Sequence, residues 1–120
     1  MRIERIENMT RLMEQVLSLT EARQRVLAHN LANINTPGFV RRDIPFEEAL
    51  REAVANPGRS PDAFRVLEDE SGTFRSDGNN IDLEREIAEL TKNRVLHEIA
   101  TQFLGGKVRQ IRMAISGRTG

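Results

Sequence analysis

Residues 29–50, HNLANINTPGFVRRDIPFEEAL, decide the fold, because a helix runs into this stretch and cannot run out of it. Thr36 precedes a proline, which pushes it out of the α region. Pro37 and Gly38 suit the two central positions of a type II turn, one with fixed φ and one free to take positive φ. The helix must therefore end by about Asn35. Asn33 or Asn35 can take up a left-handed C-terminal conformation, and the amide side chains can satisfy loose carbonyls nearby. Phe39 and Phe46 then anchor the exit on apolar surface. On this chemistry alone the stretch is an ordinary helix stop.

Upstream, residues 3–34 carry helical periodicity. Ile6, Met9, Met13 and Val16 follow a 3-4-3 spacing, and the same register reaches Leu27 and Ile34. A second stripe, Leu12, Val16, Leu19 and Val26, lies beside it, so the joint apolar face is wide and asks for more than one neighbour. Downstream, residues 35–80 are rich in breakers: Pro37, Gly38, Pro45, Pro57, Gly58, Pro61, Gly72 and Gly78. Within them, 46–55 reads as a short helix, and 64–67 and 73–75 as short strands that make no sheet alone. Asp77-Gly78-Asn79-Asn80 is a turn, after which Asn80 or Asp82 caps a second long helix.

That helix covers about residues 82–115. Leu83, Ile87, Leu90, Arg94, His97, Thr101, Leu104, Val108, Ile111 and Ile115 alternate spacings of four and three, a heptad seam with polar residues at its middle. Acidic residues at its start and Lys107, Arg109 and Arg112 near its end suit the helix dipole. Gly105-Gly106 costs about 1 kcal/mol per glycine relative to alanine and marks a kink, a frayed point or the close approach of another backbone. The organisation is thus all-α: an N-terminal helix in 1–34, an irregular, partly extended middle in 35–80 and a C-terminal helix in 81–120.

Composition narrows the function classes. The 120 residues are 30% charged and only 4% aromatic, with no Trp, Tyr or Cys, so five Phe supply all the aromatic bulk a core can use. Eighteen basic and eighteen acidic residues cancel, which does not favour nucleic acid or a membrane surface. No apolar run is long enough to insert in a membrane. The charged N-terminus does not read as a secretory signal. His29 and His97 lie on different helices with no metal-ligand spacing and no nucleophile beside them, so neither an enzyme, a metal nor a cofactor is expected. The four Met read as packing residues. His97, in the seam, is either a polar register-setting residue or a partly exposed packing residue. Two long arms with faces too broad for one another imply a chain ordered by assembly.

A resemblance sharpens this reading. LANINTPGF at 31–39 resembles the signature near the N-terminus of bacterial flagellar rod and hook proteins. RRDIPFEEAL at 41–50 and DGNNIDLEREIAELTKN at 77–93 are similar to the proximal rod branch of that family. Together with the helices around them they cover well over half the chain. Phe39 stands where Tyr is common, His97 where an aromatic is often found, Gly105-Gly106 has one glycine more than usual, and the middle segment is short.

The resemblance implies a structural subunit of the rod, the drive shaft of the flagellar basal body across the periplasm. The terminal helices would pair and pack with those of other copies and other rod proteins in a tubular core, with a basal-body adaptor at the rod base. Export would run through the type III apparatus with no cleaved signal. On that reading Met13, Val16, Leu27, Leu31, Ile87, Leu90, Leu104, Val108 and Ile111 are subunit-packing positions. Asn33, Asn35, Thr36, Pro37, Gly38 and Phe39 form the helix exit, where amides bond adjacent subunits and fix the angle of the chain. Phe46 and Leu50 resemble the Phe-x-x-x-hydrophobic element read by the export gate. The other reading is a small helical adaptor or export chaperone that binds a single partner.

Overall fold

The computed structural model describes residues 2–56 and 64–117. In chain order it holds α1 (Arg2–Ala32), β1 (Arg42–Asp43), α2 (Phe46–Ala55), β2 (Leu67–Glu68) and α3 (Leu83–Ser116). Helices α1 and α3 form a long antiparallel hairpin: the Asn30 amide meets Glu86, the Asn93 amide meets the Thr20 carbonyl, and Ile6 faces Ile111 across a groove. The molecule measures 64 × 27 × 17 Å. The breakers Pro57, Gly58 and Pro61 lie outside the described residues.

Helix α1 stops where the sequence requires. The Phe39 amide bonds back to the Thr36 carbonyl at 3.2 Å, and Gly38 has φ +74°, the turn expected of Pro37-Gly38. Asn33 and Asn35 are not left-handed, however; no non-glycine residue among those described has positive φ. The last turn of α1 is instead closed by the Asn33 and Ile34 amides, which donate to the carbonyls of His29, Asn30 and Leu31, and the carbonyls just past the helix, those of Asn33 and Ile34, accept from Asn79.

Helix α2 falls on 46–55 as read. Glu47 and Glu48 sit in its first turn, where the dipole favours them, and the Gln15 side chain donates to the Asn56 carbonyl at 3.2 Å, fastening its far end to α1. Helix α3 is capped by Asp82, whose carboxylate accepts from the Glu84 amide at 3.0 Å, and it ends on Gly117 at φ +73°. The strand expected at 64–67 is displaced to Leu67–Glu68 and pairs antiparallel with β1, Arg42 opposite Glu68 and Asp43 opposite Leu67. Residues 73–75 are not a strand. Arg75 instead closes the Asp77-Gly78 turn, through Gly78 N to Arg75 O at 2.9 Å and Arg75 N to Asn79 O at 2.8 Å.

The core runs from the middle of the hairpin to the end where α1, the ribbon, the 77–81 turn and the start of α3 converge. Its buried apolar residues are Val16, Leu19, Leu27, Ile44, Ala53, Ile81 and Ala100, and buried polar residues outnumber them. The face that α3 turns to α1 also differs from the heptad read in the sequence. Its fully buried positions are Glu86, Asn93 and Ala100, seven residues apart, with Leu90, His97 and Leu104 half-buried beside them. Leu83, Ile87, Val108, Ile111 and Ile115 are exposed. Polar Glu86 can face inward because Arg41 pairs with it, and Asn93 because its Nδ2 donates to the Thr20 carbonyl and to Gln24 Oε1, although its Oδ1 meets no partner among the described residues.

Candidate functional site

Three asparagines build a knuckle between the two sequence motifs. Asn30 is fully buried and treats the Arg42 backbone as a strand would: its Nδ2 donates to Arg42 O at 2.6 Å and its Oδ1 accepts from Arg42 N at 2.9 Å. Asn79, also fully buried, donates to the carbonyls of Asn33, Ile34 and Thr36 at 2.9, 3.1 and 3.0 Å, and its Oδ1 accepts from Ile81 N at 2.8 Å. Asn80 accepts from Arg41 N and donates to Asp69 O, both at 2.7 Å. Arg75 bonds Ile34 O and Ile81 O as well. The DGNN turn therefore seats on the NINTPG exit through a set of bonds that leaves the chain one exit angle. Of the exit residues, Thr36, Pro37 and Gly38 face outward. Asn33 donates to His29 O at 2.8 Å and accepts from Thr36 Oγ1 at 3.0 Å, Asn35 is exposed, and Phe39 lies 5.7 Å from the His29 ring.

Beneath the amides runs an ionic lattice. Arg41 is fully buried and reaches Glu86 through Nε, Asp69 through Nη1 at 2.7 Å and Asp43 through Nη2 at 3.1 Å. Arg23 clamps Asp43 with two bonds, at 2.9 and 3.0 Å, and meets Glu89 at 2.8 Å. Arg85 holds Asp69 at 2.9 Å. Burial pushes the Asp43 carboxyl toward the neutral form, but the Arg23 bonds and the Arg23 and Arg41 charges outweigh it and hold its pKa below the usual carboxylate range. Asp69 is shifted the same way: burial opposes, and hydrogen bonds from Ser71 with the Arg85 and Arg41 charges prevail. Desolvation offsets much of the attraction in such buried pairs, so the lattice fixes geometry more than it adds net stability.

The positions read as subunit packing divide into three groups. Val16 and Leu27 are buried inside the chain, 7% and 0% exposed, and spend their surface on its own core. Met13, Leu31, Leu90 and Leu104 are half-buried. Ile87, Val108 and Ile111 are 49%, 49% and 59% exposed, and Ile3, Val95, Ile99 and Ile115 are exposed as well. Large apolar side chains are thus exposed along both arms, the kind of surface that protein contacts use. Phe46 is half-buried beneath the Arg23 guanidinium, 5.6 Å from its ring centre, and Leu50 is half-buried on α2. His97 lies 3.7 Å from the Glu21 carboxylate.

Sequence reasoning missed the lattice and the roles of Asn30, Asn79 and Asn80. The signal for the asparagines was present in the two quoted motifs. The signal for Glu86 was its place one step off the apolar heptad, seven residues before Asn93. Among the described residues no cluster of acidic or histidine side chains could hold a metal ion, and no helix is long and apolar enough to cross a membrane.

The family described as flagella basal body rod protein matches residues 16–39, the second half of α1 and its exit. Over the longer range, the chain is 30% identical to flagellar basal body rod protein FlgB of Aeromonas hydrophila, covering 87% of this chain and 89% of that one. It is 31% identical to the FlgB of Aquifex aeolicus (strain VF5), covering 89% and 92%. To that of Bacillus subtilis (strain 168) it is 24% identical, covering 88% and 91%.

Proposed function

Because the chain belongs to the flagellar basal body rod protein family, we propose a division of labour within it, with the knuckle setting the angle of the chain and the exposed arms joining subunits. The chain is a structural subunit of the rod, assembles with other rod proteins and is not an enzyme. Family membership displaces the single-partner adaptor or chaperone reading. The observation that carries the division of labour is the contrast between a hydrogen-bonded knuckle and the exposed Ile87, Val108 and Ile111. Met13, Leu31, Leu90 and Leu104, half-covered within the chain, complete the contact in the assembly.

The proximal position, a contact with an adaptor at the rod base and passage through the type III apparatus belong to the same proposal. Phe46 and Leu50 serve as the export element while the chain is extended, and are folded into α2 later, Phe46 beneath Arg23. In cells lacking the native chain, Val108→Asp is expected to abolish swimming and remove the chain from isolated basal bodies, with its cytoplasmic level unchanged. Normal swimming overturns the assigned surface. Phe46→Ala is expected to lower secretion several-fold at constant cytoplasmic level, and unchanged secretion removes the export role.

A further inference from the structure

The zero net charge of the chain hides a segregation along the hairpin. Residues 82–89, at the knuckle end of α3, hold Asp82, Glu84, Glu86 and Glu89 against Arg85 alone. From Ile99 onward the sequence has no acid, and it carries Lys107, Arg109, Arg112 and Arg118. On the α1 side of that far end Arg2, Arg5 and Arg11 stand with Glu4, Glu7 and Glu14, so residues 2–14 and 104–117 hold six cations and three acids. Exposed apolar surface gathers at the same end, from Ile3, Ile6, Met9, Val108, Ile111 and Ile115. At about 100° per residue, Leu104, Val108, Ile111 and Ile115 share a sector of α3 about 60° wide. Lys107 lies about 40° beyond one edge of it and Arg112 about 40° beyond the other, with Arg109 further round on that side. Arg109 and Arg112 pair with no acid among the described residues.

We infer that this end of the hairpin docks on the surface of an anionic bilayer, with the apolar stripe of α3 in the headgroup boundary and its cations among the headgroups. An apolar helical stripe bracketed by cations is the pattern that lies in such a surface without crossing it, and no described helix is long and apolar enough to cross. The acidic knuckle end is repelled by the same surface, so the hairpin meets it by the far end first. A second copy offers no counterpart with acids on both edges of an apolar strip. Beside Leu83 and Ile87, Glu84 flanks one edge, but Glu86 on the other is turned inward to Arg41, and on α2 the Glu47 beside Leu50 and Val54 is paired with Arg51. The stage at which docking happens rests on the reading of the chain as a rod subunit: it precedes uptake into the rod, where neighbouring subunits take over the same apolar side chains.

The test uses the purified full chain and two kinds of vesicle, one of phosphatidylglycerol and phosphatidylcholine in equal parts and one of phosphatidylcholine alone. The chain is expected to sediment with the first and not with the second, less so as salt is raised. Amides of residues 105–117 are expected to gain protection from hydrogen exchange on the mixed vesicles. Arg109→Gln with Arg112→Gln is expected to lower partitioning roughly 30-fold, as removal of two cations from an anionic surface implies. Arg51→Gln with Arg65→Gln makes the same change in net charge at exposed positions away from that end and is expected to leave partitioning nearly unchanged. No binding to the mixed vesicles, equal binding to both kinds, or equal loss in the two double variants overturns the inference. So does an Arg109→Gln, Arg112→Gln chain that binds vesicles as the wild type does but is missing from isolated basal bodies, which would assign those cations to an acidic protein partner. Each of these results leaves the rod reading intact, because that reading fails only if the unaltered chain is absent from basal bodies.

Discussion

At the scale of single residues, the knuckle trades apolar packing for charge. Arg41 and Glu86 are both fully buried, and such a pair is costly to desolvate and costlier to break. What it offers in a chain with few aromatics is direction: each guanidinium nitrogen has one correct partner, so the exit of α1, the ribbon and the start of α3 have one relative placement. The acid response follows from Asp43. Its folded pKa is depressed, so its contribution is complete above the unfolded value, about 3.9, and is lost as pH falls through the folded value. Asp69 acts in the same sense. Followed by circular dichroism, stability of the purified chain against urea is expected to be flat from pH 7 to about pH 5 and to fall below about pH 4. Asp43→Asn is expected to be less stable at pH 7 and to lose less on acidification. A wild-type chain equally stable at pH 7 and in strong acid would show that the lattice contributes nothing.

At the scale of elements, what was legible depended on whether the deciding contact was local. The bounds of α2, the stop of α1 near Asn35, the Pro37-Gly38 turn and the Asp82 cap all follow from a few neighbouring residues. The face of α3 did not, because apolar spacing alone points at Leu83, Ile87 and Leu90, whereas the partners that let Glu86 and Asn93 turn inward lie 45 and 73 residues away. For the same reason Asn33 and Asn35 drew attention and Asn79 did not: the residue that satisfies the carbonyls just past α1 comes from a remote turn. Asn79→Ala strips a carbonyl cluster of its donor in a buried site and is expected to cost about 1–3 kcal/mol, read as a lower urea midpoint at unchanged slope. Asn35→Ala, at an exposed position of the same motif, is expected to fall within about 0.5 kcal/mol of wild type. Equal effects of the two would mean that the motif acts as a local cap and that the remote turn is incidental.

At the scale of the whole molecule, order is distributed unevenly along the hairpin. The fully covered apolar residues, Leu19, Leu27, Ile44, Ile81 and Ala100, lie at the knuckle end or the middle. Toward the other end Ile3, Ile6 and Met9 on α1 and Val108, Ile111 and Ile115 on α3 are 43% to 81% exposed. A helix without a packed face is marginal in water even when its propensity is good, and the glycines at 105 and 106 lower that of α3 further. In α3 these two have open space around them: an added Cβ would meet only the Arg109 side chain, at 3.5 and 3.7 Å. Nothing among the described residues therefore requires glycine there. On the proposed division of labour, the knuckle end is preformed and fixes orientation, and the other end is completed by neighbouring subunits. Amide hydrogen exchange on the isolated chain is expected to grade accordingly. Amides of residues 16–31 and 84–100 should exchange near the global opening free energy, and those of residues 2–10 and 105–117 through local openings of about 0–2 kcal/mol. In assembled rods the second group should gain protection and the first should change little. Uniform protection in the isolated chain, with both ends as slow as Leu27, would mean that the apolar arms are stable without neighbours, and the case for order gained by assembly would fail.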